Sequence, residues 1–498
     1  MKGCFVLQRR FAYIGHYLAQ LLKEQYGVEE FCGITYTRPS YEFLLKQQDV
    51  LYSTLLLDEE IHARYKNETL DPAFLDRLEK EYGIPYLWPF LAVDRVVMSN
   101  QLVREYPHDQ PRYSHEDMLR LIQVSAKAVI NLLDMEKPDF LFVGPIGSVS
   151  NYLLYRIAKK RGIRCFLLLM TSTRNRYILS EDYDTFSWVN ERFRTERAAL
   201  ASSPMRQAAA DFLKQFREKP LPYFDKSAPS QQPVSRRKQL KFLNPINAAK
   251  SLTIFFGNFY RFYTSPGHQD YSAIHPWNYV KDLAKRKIRN LIGSNDLYDP
   301  FTPDEDFVFF PLHYEPEISL LLQAPTHTDK VALIRQISRS LPVRFKLYVK
   351  DHPEMAQYRP RSYYKELKKN PNVKLIDPCI SSFAITPKAK LVTTITGTTG
   401  WEAIMLKKPV VSFGHQFYNE LSMVKYCAEM ESLPRLIKEQ LERFSHDESE
   451  LLDYLTALFE DSAELNLHHL WMDEPDFAKK KDGMKPVAAL LAKKLHLT

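Results

Sequence analysis

Three short stretches carry residues able to grip a phosphate or move a proton. In "YVKDHPEM" (Tyr348 to Met355), Lys350, Asp351 and His352 follow directly on an apolar run that reads as a buried strand, and Pro353 stops it. "FPLHYEPE" (Phe310 to Glu317) delivers His313, Glu315 and Glu317 in the same way. "VTTITGTTGWEAIMLKKPVVSFG" (Val392 to Gly414) sets Gly397 and Gly400, two of only 15 glycines in 498 residues, among Thr396, Thr398 and Thr399. Glycine permits a tight strand exit and close approach of a ligand, threonine offers hydroxyls, and the first amides of a following helix favour an anion. Together these groups would bind a phosphate and stabilise charge building on it as a bond to it breaks. A lone histidine at a strand end is more often structural, and an ordinary strand-to-helix turn also explains the threonine loop.

The loop is neither a Walker A sequence, which ends in Gly-Lys-Ser/Thr, nor the G-x-G-x-x-G dinucleotide fingerprint. Two D-x-D patterns, Asp182 to Asp184 and Asp304 to Asp306, match carboxylate sites for hard cations. The first lies in a polar loop and the second precedes a strand, so both read as turns and no metal is expected. His16, after Gly15 in the first helix, would line a cleft or, as the stronger reading, lie on the helix surface.

These residues need strands that end at one edge, and the chain supplies them. "GCFVLQ", "RFAYIGHYLAQLLKEQYG" and "VEEFCGITY" read as strand, helix, strand. The unit recurs at "PDFLFVG", "SVSNYLLYRIAKKRG" and "IRCFLLLM". After an interruption, "FVFFPL", "RFKLYVK", "NVKLID", "AKLVTTIT" and "PVVSFG" resume it. Strands alternating with helices over short connections predict parallel sheets, with ligands at the carboxyl ends of the strands. The expected division is an N-terminal Rossmann-like domain over 1–200, a linker and irregular basic aromatic insert over 201–300, a C-terminal Rossmann-like domain over 301–440 and a helical tail over 441–498.

Composition sets bounds on function. At 45% hydrophobic residues the chain has ample material for two or three cores. Five scattered cysteines without a C-x-x-C suggest neither a disulfide framework nor zinc, which fits a reducing, cytoplasmic setting. The N-terminal arginine pair follows its apolar stretch, opposite to a secretory signal. No window offers the ~20 apolar residues of a membrane span; "LTIFFGNFYRFY" (Leu252 to Tyr263) is short and carries Asn258 and Arg261. The net charge of +8 is concentrated around it, in "SRRKQLK" and "KDLAKRKIRN". Residues 235–290 therefore suit an anionic membrane surface, peripheral on the inner face of the cytoplasmic membrane. A solvated helix face beside a buried aromatic patch suits them equally. No nucleic-acid signature accompanies the charge.

The run from "FVFFPLHYEPE" through "RFKLYVKDHPE" to "LVTTITGTTGWEAIMLKKPVVSFG" resembles the bacterial capsule polysaccharide biosynthesis family, which includes Kps-type Kdo transferases and is similar to other GT-B glycosyltransferases. "YGIPYLWPFLAVDR" and "KPDFLFVG" resemble the N-terminal part of that group. The match is good over Phe307 to Gly414 and loose over the first 180 residues. The resemblance implies an α/β, GT-B-like fold of two Rossmann-like domains facing a cleft, with the donor nucleotide held by the C-terminal one. It also implies that His352-Pro353 contacts the donor phosphate, that Thr396, Gly397, Thr398 and Thr399 form the donor loop, and that Glu402 is its helix carboxylate.

The expected activity is transfer of a sugar from a nucleotide sugar to a capsular or other surface polysaccharide, or to its lipid-linked acceptor, without cofactor or obligatory metal. Lys350, His352, His313 and the helix terminus would hold the departing phosphate. The acceptor hydroxyl needs a base, and Asp94 in the first domain is the leading choice, with Glu317 second. Two other functions share the features: a nucleotide-sugar epimerase of similar design, and a non-catalytic adaptor of a polysaccharide assembly complex.

Overall fold

The computed structural model describes residues 1–9, 11–100, 111–221, 237, 240–264, 271, 275–355 and 358–497. Two α/β units follow one another, each built on a mainly parallel sheet. The first sheet holds β1 (Lys2–Leu7), β2 (Glu30–Thr35), β3 (Tyr52–Leu57), β4 (Phe140–Val143), β5 (Arg164–Met170) and β6 (Arg176–Ser180). The second holds β7 (Phe307–Pro311), β8 (Lys346–Lys350), β9 (Val373–Ile376), β10 (Leu391–Thr394), β11 (Val410–Ser412) and β12 (Val424–Tyr426). A last strand, β13 (Ser462–Glu464), returns to the first sheet and pairs antiparallel with β6. The orders are β13-β6-β5-β4-β1-β2-β3 and β12-β11-β10-β7-β8-β9. This is a GT-B-like arrangement of two Rossmann-like units.

Both faces of each sheet are covered, which explains the near-continuous apolar strands. On one face of the first sheet Cys4, Val6, Cys32, Ile34, Leu141 and Val143 pack with the layer that includes Leu121, Leu132 and Leu153. On the other, Phe5, Leu7, Phe31, Phe140 and Phe142 meet α1 (Phe11–Tyr26). The period-2 alternation of side chains thus sorts cysteines to one face and phenylalanines to the other. All five cysteines are unpaired; only Cys379 is exposed.

Two expectations are corrected. The insert is not irregular where it is described: it contains α2 (Met205–Glu218), α3 (Pro245–Thr264) and α4 (Pro276–Ile292). Pro245 and Pro276 each open a helix, where the missing N–H costs nothing, so prolines that read as punctuation are starts. The stretch 222–236 lies outside the described residues. The C-terminal segment is more than a helical tail. Besides β13 it includes a helix, Glu448–Glu460, whose Leu451, Tyr454 and Leu458 are buried. Its final helix, Phe477–Lys494, lays Met484, Val487 and Leu491 against the α1 face. Three residues are too few for β13 to show a period in the sequence. Among the described residues no helix is long and apolar enough to cross a membrane.

In the second sheet the chain runs from β7 to β8 and β9 on one side, then crosses to β10 on the other. The crevice outside the carboxyl ends of β7 and β10 is a topological switch point, where open α/β sheets bind ligands.

Candidate functional site

Three neighbouring strand ends deliver the predicted residues to that crevice. β7 leads to His313, β8 ends at Lys350 and leads to His352, and β10 leads to Thr396 and Gly397. His313 is buried, and its Nε2 accepts the Thr396 amide at 3.1 Å, so the ring is neutral with its proton on Nδ1. Burial, with Lys330, Arg359 and His352 nearby, pushes its pKa down to about 3. His313 therefore holds the threonine loop in place and does not exchange protons at neutral pH.

The glycines answer to space. Gly397, at φ −75°, is extended backbone open to any residue. A side chain there would put Cβ 2.7 Å from Thr394 Oγ1 and 3.4 Å from His313 Nε2. At Gly400 an added Cβ would lie 2.6 Å from the Tyr418 hydroxyl, which itself donates to the Gly397 carbonyl at 2.9 Å. The loop is thus packed shut on its protein side, and Thr398 opens the helix Thr398–Met405. Beside it, the buried Thr396 Oγ1 has no hydrogen-bond partner among the described residues.

Lys350 is 4% exposed, and its ammonium reaches only the Asp351 carbonyl, at 3.5 Å. No carboxylate among the described residues lies within ion-pair distance of it. Burial pulls its pKa down to about 8, against the opposing pull of Asp351, Cys379, Asp377 and Glu402. It shares strand parity with Tyr348, whose face is also that of Trp401, so it points to the side on which helix Thr398–Met405 lies. Glu402 on that helix is half-buried, and desolvation lifts its pKa to about 7 with Lys350 opposing. A desolvated cation without a counter-ion, beside helix amides and an unsatisfied hydroxyl, is an environment that an anion would complete.

Asp351 serves the scaffold. It is fully buried and receives Arg359, the Tyr364 hydroxyl at 2.5 Å and the His352 amide at 2.7 Å. Arg359 also donates to the His313 carbonyl and to Glu315, each at 2.8 Å, and Glu315 pairs with Lys330. This network ties the exits of β7 and β8 together and fixes His352, which is half-buried with its ring 5.3 Å from that of Tyr314. Pro353 opens a single 3-10 turn.

A cleft of about 290 Å3 adjoins the site. Ser172 and Arg174 come from the first unit, Phe212, Phe216 and Lys219 from α2 and its exit, and Glu402 and Met405 from the second unit. Glu317 stands where the units meet: it precedes the helix Ile318–Gln323, and an added Cβ at Gly147 of the first unit would strike Ile318.

Asp94 does not join this group. It is 1% exposed; Oδ1 accepts the amides of Val96 and Val97 at 2.9 and 3.2 Å, and Oδ2 that of Val149 at 3.1 Å. It caps the helices Arg95–Ser99 and Val149–Lys160 at once, a task that commits both oxygens. Burial raises its pKa to about 6, and the three amides oppose the rise. Asp94, expected as the catalytic base, is thus held as a helix cap, away from the crevice of the second sheet. His16 is also not on the surface: it is fully buried, bonded to Asp49 at 3.1 Å, and burial depresses its pKa.

Sequence reasoning passed over Arg359, Tyr418, Arg174 and Asp58. Asp58 follows β3, is buried with Oδ1 unpartnered among the described residues, and is raised to about 7 by burial. "LLLDEE", an apolar run ending in acids, is the signal that would have found it.

Residues 235–424 match the model of the capsule polysaccharide biosynthesis proteins. No curated protein matches the chain. Among solved structures, it is similar to the β-Kdo 2,7 transferase of KpsC from Thermosulfurimonas dismutans, at 14% identity and TM-score 0.38, over 74% of this chain and 89% of that one. The β-Kdo 2,4 transferase of the same KpsC gives 14% and 0.37 over 67% and 83%. A UDP-GlcNAc 2-epimerase from Neisseria meningitidis, bound to UDP-GlcNAc, gives 12% and 0.28 over the whole of both chains. At such scores the likenesses bear on neither substrate nor mechanism.

Proposed function

We propose that this chain, whose residues 235–424 match the model of the capsule polysaccharide biosynthesis proteins, is a glycosyltransferase that takes a sugar from a nucleotide-sugar donor. Its acceptor is a growing capsular or other surface polysaccharide, or the lipid-linked form of one. The donor sits on the second unit and the acceptor on the first. The observation that carries the reading is Lys350, a buried ammonium with no carboxylate partner among the described residues, at a switch point it shares with the Thr396 hydroxyl, likewise unsatisfied among them, and the helix from Thr398.

The chemistry follows from that geometry. The bond between the sugar's anomeric carbon and the donor phosphate breaks, and the departing oxygen gains charge. Lys350, itself withdrawn from water, stabilises that charge together with His352 and the amides at Thr398 and Thr399. A new bond forms from the acceptor oxygen to the same carbon, and the acceptor's proton passes to a carboxylate at the junction of the units. With Asp94 committed to capping, Glu317 is the candidate. Glu402 borders the donor from the adjoining cleft, where Arg174 and the Phe212 and Phe216 rings offer a second charge and a stacking surface.

Thermal unfolding of the purified chain with CMP, CDP, UDP, GDP and ADP, repeated with His352→Ala, tests this. A nucleotide at ~100 times its dissociation constant adds about 2.7 kcal/mol to the native state. One nucleotide should raise Tm, and the substitution should remove the rise. A folded chain that responds to none of them would defeat the transferase reading and favour a non-catalytic adaptor.

A further inference from the structure

The helices α3 and α4 carry a surface that the transferase reading does not use. α3 runs for 20 residues without burying one. Its Ile246, Leu252, Phe256, Tyr260 and Tyr263 are 57–70% exposed, and at 100° per residue they fall on one side of the helix. Phe259, at the edge of that stripe, turns toward α4, its ring 5.2 Å from that of Trp277. α4 repeats the pattern: Trp277, Ile288, Leu291 and Ile292 are 49–62% exposed along a second stripe, which Lys281 and Lys285 share.

Charge selects the occupant. From Lys241 to Ile292 the sequence has eight Lys and Arg against two Asp. Of those acids Asp282 is fully buried and already bonded to Arg286 at 2.9 Å. Lys250 and Arg261 flank the stripe of α3 as Lys281 and Lys285 flank that of α4. A second copy of this chain would bring like charge against like charge across a two-fold interface. An anionic bilayer offers what the surface lacks: an apolar layer for the aliphatic and aromatic stripes, a headgroup level suited to Tyr and Trp, and phosphates for the lysines. We infer that the α3–α4 hairpin docks the protein on a membrane surface containing anionic lipid.

The hairpin is also fastened to the candidate site. Arg286 donates to the Tyr358 hydroxyl at 2.9 Å and Arg289 to the Tyr358 carbonyl. The next residue, Arg359, is the one that binds Asp351, Glu315 and the His313 carbonyl. Docking would therefore hold the crevice at a set height and tilt above the lipid headgroups.

The test is co-sedimentation of the full chain with vesicles of phosphatidylcholine, with and without phosphatidylglycerol. It should bind only the anionic vesicles and release in high salt. Phe256→Glu with Tyr260→Glu should abolish binding; both side chains are exposed, so circular dichroism should be unchanged. Lys281→Glu with Lys285→Glu should weaken binding by at least about tenfold, since each cation near such a surface contributes about 1 kcal/mol. Absence of binding by the folded chain, or binding indifferent to both pairs of substitutions, would overturn the inference. So would a dimer in sedimentation equilibrium that the Phe256/Tyr260 pair dissociates, because the surface would then cover a second copy. None of these outcomes depends on nucleotide binding, so this surface and the donor site fail separately.

Discussion

At the carboxyl edge of the first sheet Asp94 is buried with both oxygens engaged, holding three amides of two helices. At the carboxyl edge of the second, Lys350 is buried almost as deeply and, among the described residues, holds only one long contact to a carbonyl. Both carry a pKa displaced by desolvation, so displacement alone does not separate them. What separates them is the state of their hydrogen-bonding capacity. A buried polar group that is satisfied by the fold belongs to the fold, and one that is left wanting marks where something else binds.

Substitution can break this contrast. Asp94→Ala should cost the most, about 3–4 kcal/mol of unfolding free energy, because three amides at two buried helix starts lose their acceptor. Denaturant unfolding would measure it. The protein that remains folded should still answer to the nucleotide, which Asp94 does not touch.

Lys350→Met should do the opposite. The nucleotide-induced stabilisation of about 2.7 kcal/mol should vanish, while the unliganded protein becomes more stable at neutral pH, by on the order of 2 kcal/mol. The sign follows from the lowered pKa. Between about 8 and the ordinary lysine value the unfolded chain binds the proton that the native state has shed, so stability rises with pH there. Below that window the native state carries the full cost of an uncompensated cation. The advantage of Lys350→Met over the natural sequence should therefore shrink as pH climbs from 8 to 10.5. If Lys350→Met instead destabilises the protein as Asp94→Ala does, the contrast between the two edges fails.

Gly400→Ala should have the smallest effect, about 1–2 kcal/mol, since the new methyl must displace the Tyr418 hydroxyl 2.6 Å away. Because that hydroxyl also holds the Gly397 carbonyl, the variant should weaken nucleotide binding more than it lowers Tm.

The second edge was the more legible in sequence. "RFKLYVKDHPE" gives an apolar strand, its stop at Pro353 and the polar residues between, and the structure puts Lys350 and His352 where that order requires. His313 and the Thr396 loop converge on the same crevice for the same reason. What the order of residues does not carry is who spends a hydrogen bond on whom. Asp351 and Lys350 are adjacent in the chain, yet one is saturated by Arg359 and Tyr364, eight and thirteen positions away, and the other is not. The capping role of Asp94 was not legible because a cap before the five-residue helix Arg95–Ser99 has no periodic run behind it to announce a helix start. The bounds of helices α3 and α4 were not legible because their opening prolines and exposed aromatics look the same in a loop as at a helix start.

The strand β13 and the helix Phe477–Lys494 add a constraint on biogenesis. The first sheet gains an edge strand from residues about 285 positions beyond β6, and α1 gains apolar cover from residues more than 400 positions further along. During synthesis the N-terminal unit must therefore wait with the side of α1 that carries Tyr17, which meets the Phe477 ring in the finished fold, uncovered while the whole second unit is made. The half that emerges first is the last to be finished, and it is the half that a chaperone would need to shield.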